Sequence, residues 1–288
     1  MDKKKLINDK RFFLIDAFIY IYKYYFSLKK TFYGNYILLG FLNLIINILI
    51  KEKPTYIVVV FDCKIKNNYK KKIFKNYKIK RKKSSIKISE SIPYIKKYLK
   101  LLNIPIITSK TFEADDIIGT LIKKNEKNGY INYIFTEDKD FYQFISNKTF
   151  ILKKNLCIDK KFVLNKYNIV FIKQLIDVFS MTGDNTDNIP GIPYIGIKTA
   201  NKLLKKYKNI EKIYLNIKKI DKKIKKKILH YKYLAFLSKK LFIINNNVKI
   251  KLINYRKKIK INKINKILFL LNKNFFKNKI NKIKNIFL

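Results

Sequence analysis

TYIVVVFD, residues 55–62, is the segment on which the fold turns. It is a short run of β-branched and aromatic residues closed by an acid, Asp62. A strand that is apolar at successive positions, not only at alternate ones, is buried on both faces, and such strands belong to parallel sheets covered by helices on each side. Working outward, residues 11–16 (RFFLID) repeat the pattern and again end in an acid, Asp16. Residues 104–108 (IPIIT) and 131–136 (INYIFT) read as two further buried strands. Helical patterns lie between them, at about 17–28, 36–50, 90–102 and 113–127. Strands alternating with helices predict an α/β fold with a mainly parallel central sheet flanked by helices. In such sheets, sites form beyond the carboxyl ends of the strands.

The 288 residues are enough for one large domain or two small ones. Lys and Arg number 66 against 19 Asp and Glu, a net charge of +47, while 48% hydrophobic residues exclude a disordered polycation. A folded chain with that charge suits polyanions, nucleic acid first and an acidic membrane surface second. A second explanation stands beside it. Only Arg11, Arg81 and Arg256 are arginine, and Lys, Asn, Ile, Phe and Tyr abound, as A/T-rich codons would produce. Cys63 and Cys157 are the two cysteines and His230 the one histidine, so neither a disulfide framework nor a Cys/His zinc site is supported. A reducing, cytoplasmic setting is expected. Residues 36–50 are uncharged, but fifteen residues containing Asn43 and Asn47 fall short of a membrane span and predict a buried helix. No P-loop and no D-x-D-x-D-G calcium loop is present.

The acids are clustered. Eleven of the 19 fall between Glu113 and Asp187. Asp16 and Asp62 close two strands; Glu113, Asp115 and Asp116 open a helix; Asp138 and Asp140 follow the fourth strand; Asp184 and Asp187 lie in GDNTDNIPG. Helix capping would account for the Glu113 group and turn formation for Asp138 and Asp140. Strand-end acids have no such explanation. The ends of parallel strands share one sheet edge, so these groups should converge, and converging carboxylates require cations. Mg²⁺ takes oxygen ligands and keeps several waters, and a pair of such ions suits phosphodiester hydrolysis.

Residues 64–83 hold ten Lys, one Arg and no acid, and read either as a solvated basic linker or as a basic segment over the site mouth. Lys78 and Arg81, three apart, would share a helical face, and so many like charges should leave the segment mobile without DNA. Residues 183–196 (GDNTDNIPGIPYIG) carry three of the seven Gly and two of the five Pro, then open a helix at Lys198 and Thr199. Such a turn presents N–H groups to a phosphate. Beyond Asp187 only Glu211 and Asp221 are acidic against 29 basic residues, and from 198 the pattern is helical.

The ordered set LIDAFIYIYK (14–23), VVFDCK (59–64), FKNYKIKR (74–81), FEADDIIGTL (112–121), FTEDKDF (135–141) and MTGDNTDNIPGIPYIGIKTANKLL (181–204) resembles the 5′–3′ exonuclease domain of bacterial DNA polymerase I, a relative of phage 5′ exonucleases and flap endonucleases. The resemblance covers roughly residues 11–240. It implies a nuclease core over 1–180 with a basic helical arch at about 64–88, a helix–three-turn–helix duplex-binding subdomain over 181–240, and a basic helical tail over 241–288. Asp16, Asp62, Glu113, Asp115 and Asp116 would hold one metal, and Asp138, Asp140, Asp184 and Asp187 a second. The ions would be Mg²⁺, with Mn²⁺ as a substitute. Lys70, Tyr77, Lys78 and Arg81 match the arch positions that contact the scissile phosphate. Gly191, Gly196, Lys198, Thr199 and Lys202 match the duplex-gripping stretch, which often binds K⁺.

The implied activity is 5′–3′ exonuclease and 5′-flap endonuclease cleavage of DNA and RNA-primed ends in replication and repair. It would be carried out by a monomeric, cytoplasmic bacterial protein of an A/T-rich genome, without membrane association and beside a separate polymerase. A metal-dependent ribonuclease of related fold and a non-catalytic DNA-binding descendant are the alternatives. The duplex-binding stretch weighs against the first, and the nine carboxylates against the second. Four features depart from the family pattern, one of them an extra residue between Asp62 and Lys70. Ala17 and Phe18 replace Gly-Ser, Glu137 replaces a Gly, and Tyr194-Ile195-Gly196 stands for Gly-Val-Gly.

Overall fold

The computed structural model describes residues 10–28, 36–62, 69–81, 85–153 and 156–250. Six strands form one sheet: β1 (Arg11–Asp16), β2 (Tyr56–Phe61), β3 (Ile106–Thr108), β4 (Ile131–Phe135), β5 (Thr149–Lys153) and β6 (Leu156–Ile158). Their order is β3-β2-β1-β4-β5-β6. The β1–β2, β1–β4, β2–β3 and β4–β5 pairings are parallel, and β6 runs antiparallel to β5. The chain builds outward from β1 through β2 to β3, then crosses to β4 on the other side of β1. That reversal makes the end of β1 a topological switch point, where α/β sheets open a crevice. Strands β5 and β6 are short and carry Lys153 and exposed Leu156, so their apolar pattern is too short to have been read in advance.

The central strands bury both faces. Phe12, Leu14, Val58, Val60 and Ile134 face one core, which also contains α5 (Ala114–Lys127) and the C-terminal helices. Phe13, Ile15, Ile57, Val59, Phe61 and Phe135 face the other, which contains α1 (Ala17–Leu28), α2 (Tyr36–Glu52) and α4 (Ile86–Leu101). The uncharged 36–50 stretch is thus a core helix, and no described helix is long and apolar enough to cross a membrane. Helix α4 begins earlier than the expected 90, which leaves Pro93 inside it.

The segment expected to be a helical arch differs from that expectation. Its described part is α3 (Tyr69–Ile73), only five residues, followed by turns over 75–81, and then residues 85–88, where α4 begins. Lys78 has a φ of 56°, a left-handed backbone that cannot continue a helix. The rest of the chain is α6 (Lys160–Tyr167), α7 (Gln174–Thr182), α8 (Ile197–Tyr207), α9 (Ile210–Leu215), α10 (Lys222–His230) and α11 (Lys232–Phe242). Helix α7 packs between α8 and α11. In α8, Ala200, Leu203, Leu204 and Tyr207 are buried while Lys198, Lys202, Lys205 and Lys206 point outward, the 3.6-residue period of an amphipathic helix. Of the expected helical tail, 241–242 end α11 and residues 244–250 are irregular, with Ile244 and Val248 buried; the remainder of that expectation lies outside the described residues.

Candidate active site

Strand alternation places the first two acids. Asp16 continues the Phe12–Leu14 face of β1, and Asp62 continues the Val58–Val60 face of β2, so both reach the sheet edge on the side of α5. Asp62 Oδ1 accepts the Ala114 N–H at 3.1 Å, which fastens it to the first residue of α5. Glu113 is the N-cap residue of that helix, and Asp115 and Asp116 lie in its first turn, where the helix dipole favours negative charge. On β4 the same alternation brings Thr136 to the site. Its hydroxyl donates to Asp16 Oδ2 at 3.2 Å and accepts the Asp138 N–H at 3.1 Å. Asp138 Oδ1 in turn accepts the Asp140 N–H at 2.9 Å, capping the 3-10 turn Lys139–Phe144.

These carboxyls repel one another. Asp16 is pushed up to about 7, first by burial and then by the charges of Asp138 and Asp62. Asp140 is pushed up to about 8 by burial, Asp138 and Asp187. Asp115 is raised well above its ordinary value by burial, with Asp138, Glu113 and Asp16 adding to the effect and Lys78 opposing it. Burial likewise raises Asp138 and Asp116. A site that cannot hold its own negative charge at neutral pH calls for cations.

Part of that charge comes from the basic segment. Lys78 Nζ lies 2.7 Å from Glu113 Oε1, and Lys70 Nζ lies 3.7 Å from Glu113 Oε2. The Tyr77 hydroxyl donates to Glu113 Oε2 at 3.4 Å. Arg81 binds Asp187 Oδ1 through Nε at 3.0 Å and a terminal nitrogen at 2.6 Å. Burial alone would raise Glu113, but Lys78 and Lys70 outweigh it and hold the carboxyl below its usual range. Lys70 and Lys78 are only 2% and 7% exposed, so the described part of this segment is locked onto the carboxylates instead of being a mobile basic strand. Lys78 and Arg81 do converge on the site, but through a turn and not through a shared helical face.

The Asp184–Asp187 turn docks onto the same segment. The Lys78 N–H donates to the Asp187 carbonyl at 2.9 Å, and Asn188 Nδ2 donates to the Asn76 carbonyl at 2.9 Å. Asp184 accepts the Thr186 N–H at 2.7 Å and pairs with Lys139 at 2.6 Å. Burial opposes these contacts, but the Lys139 ion pair and the turn N–H groups outweigh it and lower the Asp184 pKa.

The donor set is all oxygen and fits a hard divalent cation, not a thiolate metal. Buried Asp140 Oδ1 and Asp116 Oδ2 have no hydrogen-bond partner among the described residues. Equally, no three carboxylates among the described residues stand close enough to form a ready-made metal cage. Glu113, Asp184 and Asp187 form ion pairs with lysine or arginine, while Asp16, Asp115, Asp138 and Asp140 raise one another and Asp62 adds to the load on Asp16.

The duplex-binding candidates divide. Gly196, Lys198 and Lys202 are exposed and Thr199 is half-buried. Gly191, matched to the duplex-gripping stretch, is buried. Its φ is 64°, its N–H donates to Ser238 Oγ at 2.9 Å, and a Cβ there would meet Gly183 N at 2.4 Å. It closes the turn because only a hydrogen fits. Tyr194 takes a left-handed φ of 66° at the tip, 82% exposed, with Lys227 Nζ 5.2 Å from its ring centre.

The other departures resolve simply. Ala17 is buried in the second core, Phe18 packs edge-on against Phe61, and Glu137 pairs outward with Lys23 and Lys153. Sequence reasoning missed Thr136, Lys139, Gln143 and Asn245. Thr136 was findable as the residue after a buried strand, whereas the partners of the others are not local.

Residues 11–168 match the 5′-3′ exonuclease N-terminal resolvase-like domain, and residues 170–266 match the 5′-3′ exonuclease C-terminal SAM fold. The 5′-3′ exonuclease of Buchnera aphidicola subsp. Baizongia pistaciae is 39% identical over 271 residues, 89% of this chain and 87% of that protein. DNA polymerase I of Bacillus subtilis is 35% identical over 83% of this chain but only 28% of its own length. Among solved structures, T5 5′-exonuclease with bound zinc aligns with a TM-score of 0.68 at 14% identity, covering 96% of this chain and 99% of that one. The catalytic core of Rad2 in complex with DNA substrate aligns with a TM-score of 0.64 at 16% identity, covering 96% and 93%.

Proposed function

The chain belongs to the 5′-3′ exonuclease family, and from that membership we propose that it hydrolyses phosphodiester bonds at 5′ flaps, nicks and RNA-primed ends of DNA with the help of divalent cations. The observation that carries the proposal is the interlocked edge of the sheet, where Asp16, Asp62, Asp115, Asp138 and Asp140 repel one another beside Lys70, Lys78 and Arg81. A bare anion-binding protein would gain nothing from carboxylates facing its phosphates. The metal-bound T5 nuclease and the DNA-bound Rad2 core, which share the fold, support both the cation and the substrate.

Mg²⁺ bound there would supply charge stabilisation on the attacking and leaving oxygens and a more acidic water. Asp16, Asp62, Asp115, Asp138 and Asp140 would hold it, with Glu113, Asp184 and Asp187 reaching it through water. Thr136 orients the Asp16 and Asp138 carboxyls. Lys78 and Arg81 lie where they can exchange a carboxylate for the oxygens of an entering phosphate, the position where fixed positive charge lowers a barrier most. Lys198 and Lys202 would hold the duplex backbone, and K⁺ at the 191–196 loop would appear as a preference for K⁺ over Na⁺ in duplex affinity.

The test is a 5′-flap and a nicked duplex incubated with Mg²⁺ or EDTA, using wild type and Asp115→Asn. Cleavage only with Mg²⁺, lost in the variant while DNA binding persists, is expected. Equal cleavage in EDTA would overturn the metal assignment.

A further inference from the structure

Residues 243–248, which follow the last described helix, are bonded to the carboxylate site at several points. Gln143 is the hub. Its Nε2 donates to the Asp140 carbonyl at 2.7 Å and to the Phe242 carbonyl at 3.2 Å, and its Oε1 accepts the Ile244 N–H at 3.2 Å. The Asn245 N–H donates to Asp116 Oδ1 at 2.9 Å. The Val248 N–H donates to Thr120 Oγ1 at 3.1 Å, and that hydroxyl donates to the Asp116 carbonyl at 2.8 Å. Ile244 and Val248 are buried. Gly119 makes room for this approach: a Cβ there would meet Phe144 Cζ at 2.5 Å and Ile244 Cγ2 at 3.2 Å.

The same contacts separate two adjacent acids. Successive helical residues point about 100° apart, so Asp115 and Asp116 cannot face the same way. Asp115 feels Asp138, Glu113 and Asp16, the carboxylates of the sheet edge. Asp116 is 0% exposed; its Oδ1 is taken by Asn245 and, at 3.5 Å, by the Tyr69 hydroxyl, and its Oδ2 is the buried oxygen without a partner among the described residues.

We propose that residues 243–248 are a strap that positions the carboxylate site, that Gln143 is its positioning residue for the Asp138–Asp140 turn, and that Asp116 is the clasp that fastens it and not a metal ligand. The strap ties two separate ligand-bearing elements, the start of α5 and the 3-10 turn after β4, to one stretch of backbone. Ligands held at the ends of different elements keep their mutual spacing only if those elements are bonded to something common, and loss of such supporting bonds typically weakens metal affinity or activity by about 10–100-fold. The inference rests on the nuclease reading of the site, but its decisive measurement does not need turnover.

That measurement is Mg²⁺ binding to the full-length protein by calorimetry without DNA, alongside single-turnover flap cleavage at saturating enzyme, DNA affinity and thermal unfolding. Gln143→Met, which keeps side-chain length without hydrogen bonds, should stay folded, bind Mg²⁺ and cleave roughly tenfold less well, and leave DNA affinity within about twofold. Gln143→Glu, which keeps the acceptor for Ile244 but loses the donor, should fall between. Asp116→Asn still accepts from Asn245 and should keep Mg²⁺ binding within a few-fold of wild type, whereas Asp115→Asn should abolish it. Wild-type Mg²⁺ binding in Gln143→Met, or loss of binding in Asp116→Asn equal to that in Asp115→Asn, would overturn the proposal. If the wild-type protein binds Mg²⁺ but fails to cleave, the nuclease reading falls while the calorimetric comparison still decides the strap.

Discussion

Lys78→Met tests the central claim about the site's electrostatics. Lys78 is 7% exposed and its ammonium lies 2.7 Å from Glu113, itself 1% exposed. Removing one partner of a buried pair leaves the other charge uncompensated, at a cost of about 3–5 kcal/mol. Lys70 at 3.7 Å and the Tyr77 hydroxyl at 3.4 Å remain beside Glu113, so the lower end, about 3 kcal/mol, applies. For a chain of this size that is a fall in Tm of roughly 6 °C or somewhat more. The pH dependence follows from the direction of the shift. In the wild type Glu113 is held below its usual range, so its contribution to stability is present above the unfolded value of about 4.3 and is lost as pH falls through the folded value. Without Lys78, burial weighs more heavily, so the deficit should be largest at neutral pH and shrink in acid as the carboxyl protonates. Adding Glu113→Gln should recover much of the loss, because the orphaned charge is gone. Thermal unfolding in EDTA across this pH range measures all three effects. A single variant melting within a degree of wild type, or a double variant no more stable than the single, would refute the buried-pair account.

In EDTA the raised carboxyls of Asp16 and Asp140, at about 7 and about 8, should make the protein lose stability as pH rises. Their favourable contribution is complete below the unfolded value near 4 and is lost as pH climbs through the folded values, so Tm should fall across that interval and millimolar Mg²⁺ should flatten the profile. Thr136→Val removes the hydroxyl between Asp16 and Asp138 and should slow single-turnover cleavage by about tenfold at unchanged DNA affinity; an unchanged rate would mean that these carboxyls are positioned without it. Gly191→Ala would place a methyl 2.4 Å from Gly183 N at a φ of 64°, so loss of thermal stability by roughly 2 kcal/mol or more is expected, and a wild-type melting curve would show that the turn can open. Lys198→Ala should weaken duplex binding and reduce the salt slope by about 0.9, and an unchanged slope would remove Lys198 from the phosphate contacts.

Much of this protein was legible in one dimension because its informative signals are local. A β-branched run closed by an acid, as in 55–62 or 11–16, specifies both a buried strand and a carboxylate at its carboxyl end, and strand alternation then decides which face that carboxylate joins. The clustering of Glu113, Asp115, Asp116, Asp138 and Asp140 could be read the same way, as could the amphipathic period of α8. What the linear order could not reveal is which opposite charges meet. Ten Lys and one Arg between 64 and 83 look like a repelling, mobile segment, because the carboxylates that hold Lys70, Lys78 and Arg81 lie 35 to 106 residues further along in the pairs Lys78–Glu113 and Arg81–Asp187. Likewise nothing beside Gln143 announces that it bonds residues 99 and 101 positions away. Nothing beside Asp116 announces that the Asn245 N–H bonds its Oδ1. Those contacts exist only once both cores have packed. Hydrophobic periodicity determines which elements form and which way they face, but Coulomb and hydrogen-bond partners act over a few ångströms of space, and only the assembled fold determines which residues share that space.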